Sequence, residues 1–215
     1  MKEKEKAKTD IYKALRSSYP NNLLYEMPEL LSKKLRSFML IREDLSFIEK
    51  IAEQLIFSRQ SSSSNSVIER ALWQSIIITY GKCFTETKAG MSKLEKALFA
   101  KHGEKYESMH NHLMDIRHSY IAHRGETANE QAMVFIKVSK TGYMMDPDTE
   151  DIIISRKLAS PRIGDLKMYV ELFNLLLNEV QEKIQKQADK AHQAFLNTYT
   201  PKQAKALLVS KMESD

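Results

Sequence analysis

Four of the six histidines fall within fourteen positions, His110, His112, His118 and His123, with Arg117 and Arg124 beside them. These residue types handle protons and phosphate at neutral pH. An imidazole exchanges its proton near pH 6.5, while a guanidinium stays charged and can hold phosphoryl oxygens as charge builds on them. Histidines also bind metals, but the spacing here argues against it. His110 and His112 lie two positions apart, so on a helix they point about 200° apart and cannot share an ion. No pair of histidines at four-residue spacing brackets a glutamate, and no cysteine is nearby. The expectation is a site with neither metal nor cofactor.

The element carrying these residues reads as a helix from Glu104 to about Ala122, with Gly125 placed as a C-terminal stop. Met109, Leu113, Ile116, Tyr120 and His123 form one stripe at four-three spacing, so His123 continues an apolar seam. His110, Met114, Arg117, Ile121 and Arg124 form the neighbouring stripe. On a straight α-helix Arg117 and His123 sit about 120° apart around the axis and roughly 9 Å along it. They would not stack, but the long arginine could reach an anion held near the imidazole. The bland alternative is a seam histidine bonded to backbone, with Arg117 paired to an acid such as Asp115 or Glu126. Spacing alone leaves both open.

The rest of the chain is patterned to position such a helix. Six glycines and five prolines in 215 residues leave few turn signals, so the elements should be long. From Pro28 to about Phe57 apolar residues recur at three- and four-residue steps, as one amphipathic helix or a close pair. Residues 60–66 hold a polar serine run that reads as a loop, and Ser66 with Glu69 has capping-box spacing. A helix from Val67 to about Thr85 follows, with Trp73 as a core anchor and Cys83 as a buried or idle thiol. Ser92 with Glu95 should open a short helix to about Lys101, closed by Gly103.

Beyond the motif the period changes to that of strands. Met133, Phe135 and Val138, then Ile152, Ile153 and Ile154, suggest a β-hairpin insertion over 130–157, which must dock on the helices or on another chain. Ser160 and Pro161 look like the cap and first turn of a long final helix. Its residues Leu166, Val170, Phe173, Leu177, Val180, Ile184, Gln187 and Ala191 step by four and three, as either an intramolecular bundle seam or a dimer seam. The fold class expected is all-α: a helical bundle with a long C-terminal helix and a small β-hairpin insertion after the Arg-His motif. Residues 1–215 read as one domain, with 1–9 a disordered tail and 200–215 a basic segment free to fray.

No apolar run approaches the roughly 18 residues that cross a bilayer, and the lysine-glutamate N-terminus lacks a signal core. A single cysteine suits a reducing compartment, so no membrane and a cytoplasmic location are expected. The net charge of +5 permits an anionic partner without demanding one, because it is spread through the chain.

The string Asp115-Ile116-Arg117-His118-Ser119-Tyr120-Ile121-Ala122-His123-Arg124-Gly125 resembles the signature of the HEPN superfamily (higher eukaryotes and prokaryotes nucleotide-binding). That signature is an arginine, four to six residues, then a histidine. A polar residue commonly follows the arginine, here His118, and an alanine often precedes the histidine, here Ala122. The resemblance covers about a dozen residues and implies a helical bundle. Many such proteins are metal-independent endoribonucleases, often toxins or antiphage effectors, whose site forms between two protomers. The resemblance therefore implies RNA as substrate, a homodimer and an antitoxin protein as further partner. It casts His123 as general acid or base, Arg117 as phosphate clamp, His118 as an orienting group, and Tyr120 and Arg124 as substrate contacts. The rival expectation is a non-catalytic helical module that binds nucleotide, RNA or a partner protein. A third is a helical interaction protein that works through the seam of its final helix.

Overall fold

Long helices dominate because so few glycines and prolines interrupt them. The computed structural model describes residues 2–61, 65–87, 90–121, 131–137 and 150–209. In order come α1 (Lys2–Ser18), α2 (Glu29–Gln60), α3 (Ser66–Phe84), a 3-10 turn (Lys96–Lys101) and α4 (Glu104–Ile116). A π-helical turn (Arg117–Ile121) continues α4, and strands β1 (Gln131–Lys137) and β2 (Glu150–Arg156) follow. Helix α5 (Ile163–Thr198) and the short α6 (Pro201–Ala204) close the order, before a last 3-10 turn at Lys205–Leu207. The class is all-α with one two-stranded antiparallel hairpin among the described residues. No described helix is long and apolar enough to cross a membrane.

Several boundaries differ from those read in the sequence. Residues 2–9, expected as a tail, form the first turns of α1. Helix α2 is one continuous helix, the first of the two readings its spacing allowed. Helix α3 is capped by Asn65, whose side-chain oxygen accepts from the Val67 and Ile68 amides. Glu69 does not close a box with Ser66, because Arg59 of α2 claims its carboxylate at 2.6 Å. The segment after Ser92 starts its 3-10 turn only at Lys96, and Glu95 at its cap makes no side-chain capping hydrogen bond. Helix α5 begins two residues past Pro161, because the Ser160 and Pro161 carbonyls accept from the Arg59 guanidinium.

The chain divides into two compact units, Met39–Gln181 and Met1–Phe38 with Glu182–Asp215. The larger unit is a helical bundle. Helix α3 stands at its centre, with Trp73 against Tyr169 and Tyr80 against Phe173 of α5. Trp73, Ile76, Ile77 and Tyr80 are almost wholly buried, as are Leu45, Ile48 and Leu55 of α2. Polar ties bind its elements at the rim: Lys82 to Asp44, Lys105 to Glu171, and Lys101 with His102 to Glu179. Cys83 is buried, and that burial pushes its thiol up to about 12, far from a nucleophile at neutral pH.

The smaller unit is held by backbone pairing between distant parts of the chain. Tyr25 bridges Leu208, while the amides of Glu26 and Val209 donate to the carbonyls of Leu207 and Leu24. Thr200 and Gln203 form a capping box at α6, and Ala204 and Val209 are buried. Through residue 209, then, the C-terminal segment is tied down rather than frayed.

On the seam of α5, Leu166, Phe173, Val180, Ile184 and Ala191 are buried inside the chain. Tyr169, Leu172 and Leu176 are buried too, widening the stripe beyond a two-helix seam. Most of the apolar pattern of this helix is core, with Val170 and Leu177 half-buried.

Candidate functional site

Helix α4 is amphipathic, starts at Gly103 and packs against α3. Gly103 has a φ of 94°, a left-handed conformation natural to glycine, and its amide donates to the Phe99 carbonyl. The chain thus leaves the 3-10 turn and enters α4 at one residue. The buried face of α4 carries His110, Leu113 and Ile116. Sequence spacing had put His110 on the neighbouring stripe and Met109 on the seam; in the structure His110 is buried and Met109 is only half-buried.

The histidine cluster comes apart in three dimensions. His110 lies among the rings of Tyr80, Phe84 and Phe99, with its Nδ1 2.9 Å from the Tyr80 hydroxyl. Burial, aided by the nearby Lys96 charge, pulls its pKa down to about 4, so the ring is neutral and structural. His112 and His118 face solvent. His102 pairs with Glu179 at 3.0 Å, beside α5. Among the described residues no group of three or more His, Cys, Asp or Glu could hold a metal ion.

Arg117 opens the π turn, which packs against α3. Its side chain is half-buried and lies across Gly81, where a β-carbon would overlap its Cδ and Nε. The missing side chain at position 81 is what lets the arginine stem lie flat on α3. Among the described residues no acid pairs with Arg117, Asp115 included. A guanidinium with a packed stem and no carboxylate partner is suited to an anion brought by something else. His118 follows it into solvent, and the Ser119 hydroxyl turns back to the Asp115 carbonyl.

The π turn also changes the geometry drawn from a straight helix. An i→i+5 turn is about one residue wider than an α turn and so departs from the α stripe. The angle of about 120° between positions 117 and 123 assumed α geometry throughout, and the turn at Arg117–Ile121 removes that assumption. Such turns recur at functional sites because they re-aim side chains out of the packed register. The backbone of Tyr120 lies in this turn. His123 and Arg124 lie outside the described residues, as do Gly125 and Glu126.

In this region the sequence reading missed Gly81 and put His110 on the wrong face. Gly81 left a signal, an isolated glycine inside an apolar helix, which usually marks a close approach. His110 left none, since its spacing fits two neighbouring stripes equally well.

No family model, curated protein or solved structure matches the chain.

Proposed function

We propose that this chain is a metal-independent endoribonuclease of the HEPN type, working as a homodimer on RNA. What supports the reading most directly is Arg117, seated on Gly81 in a π turn, without an acid partner among the described residues. It stands at the motif position that must clamp a phosphate. RNA supplies its own nucleophile, the 2′-hydroxyl beside the scissile phosphorus. A histidine takes that proton as the oxygen attacks, the P–O5′ bond breaks, and the departing 5′-oxygen receives a proton. The products are a 2′,3′-cyclic phosphate and a 5′-hydroxyl.

In this scheme His123 is the proton-transfer group and Arg117 holds the non-bridging oxygens as negative charge grows. His118 orients the substrate from solvent, with Tyr120 and Arg124 as further contacts. One catalytic histidine is thin for a reaction that both removes and donates a proton. A two-fold pair of motifs supplies the second. Acting on cytoplasmic RNA, such an enzyme would serve as a toxin or antiphage effector, held in check by an antitoxin protein.

The purified protein should cleave RNA in excess EDTA and leave 2′,3′-cyclic phosphate ends. His123→Ala and Arg117→Ala should each lower the rate by at least about a hundredfold, the range of a general acid-base group or an oxyanion contact. Variants that cleave at the wild-type rate would overturn the assignment. RNA binding without cleavage by the wild type would replace it with the non-catalytic module.

A further inference from the structure

The hairpin exposes a long stretch of large apolar residues. In β1, Met133, Val134, Phe135 and Ile136 are 50%, 66%, 45% and 57% exposed. In β2, Ile152, Ile153 and Ile154 are 41%, 71% and 51% exposed. The helices of the chain do not cover these side chains. Both strands are also edges, since among the described residues the sheet has only the order β1-β2. An open, apolar edge is a template for another strand, and a two-stranded sheet is marginal in water until one is added.

The register says which edge and which partner. Within the hairpin Met133 faces Ile154 and Phe135 faces Ile152, so these four share one face. Strand β2 reads Glu150-Asp151-Ile152-Ile153-Ile154-Ser155-Arg156, acidic at one end, basic at the other and apolar between. An antiparallel pairing of β2 with itself, centred on Ile153, sets Ile152 opposite Ile154 and Glu150 opposite Arg156, each twice by symmetry. A parallel pairing in register would set Glu150 against Glu150 and Arg156 against Arg156. Self-pairing of β1 about Val134 would set Gln131 against Lys137, with no attraction of opposite charges. The charge pattern therefore selects β2, in the antiparallel sense, with a second copy of the same strand.

We infer that β2 is a self-association edge: two copies of this chain join their hairpins antiparallel about Ile153 into one four-stranded sheet. The shared face then runs unbroken from Met133 and Phe135 through the isoleucines of both copies. The contact is isologous and closes at two, whereas β1 of one copy on β2 of the next would propagate without end. This inference does not depend on the ribonuclease reading and is tested without any cleavage assay.

Sedimentation velocity across a range of protein concentrations reads the outcome. The wild type should be a concentration-dependent dimer. Arg156→Glu and Glu150→Arg each set like charges opposite one another at both ends of the pairing. Each variant alone should dissociate about tenfold more readily or worse, with unchanged helical circular dichroism. An equimolar mixture of the two restores acid against base at both ends and should recover the dimer. A monomeric wild type, a ladder of larger species, a dimer indifferent to both substitutions, or a mixture that stays monomeric would each overturn the proposal.

Discussion

At the residue scale, His110 illustrates how burial decides what an imidazole is for. Surrounded by Tyr80, Phe84 and Phe99, it is held neutral, with a pKa pulled down to about 4. An unfolded histidine titrates near 6.5, so between those two values the unfolded chain binds a proton that the native chain refuses. Stability contributed by this group is complete above pH 6.5 and is lost as pH falls toward 4, by up to roughly 3 kcal/mol over the window. Urea unfolding at pH 7 and pH 4.5 should show the loss, and His110→Gln should shrink it. An equal loss in the variant would assign the acid sensitivity elsewhere. His118, two turns on, faces solvent instead.

At the element scale, the arginine of the motif is positioned by the helix beside it as much as by its own. Gly81 on α3 leaves the space in which Arg117 lies. Gly81→Ala should therefore separate function from folding. Alanine favours a helix interior by about 1 kcal/mol over glycine, which offsets part of the crowding because the arginine can swing away. The expected variant melts within a few degrees of the wild type but cleaves RNA at least about tenfold more slowly. Full activity would mean that the seat on α3 does not matter to the phosphate clamp. The π turn belongs to this scale too, since Arg117–Ile121 depart from the α register that spacing implied.

At the scale of the whole molecule, the long final helix belongs to the core of its own chain. Phe173 is fully buried, against Tyr80 and Tyr169. Phe173→Ala should lower unfolding free energy by about 3–5 kcal/mol. Denaturant titration should give the same loss at protein concentrations tenfold apart, because the partners of the ring are intramolecular. A loss that grows on dilution would restore the dimer seam. The apolar residues of the hairpin, by contrast, remain exposed in the single chain.

The all-α class, the long final helix, the hairpin and the core role of Trp73 were legible in the sequence, because periodicity and turn chemistry are local properties of the chain, whereas α1 was not read. The candidate site was legible as residue types and spacing, an arginine and a histidine six positions apart. Where Asn65 or Ser66 caps, and where α5 begins, depended on Arg59, whose partners Glu69 and Ser160 are distant in sequence. Likewise the neutrality of His110 came from aromatic rings on α3 and the preceding turn, and the seat of Arg117 from a glycine thirty-six positions earlier. Local pattern determines which elements form and which faces are apolar. Charge state, capping and the aim of a side chain are set by long-range neighbours, and only packing brings those together.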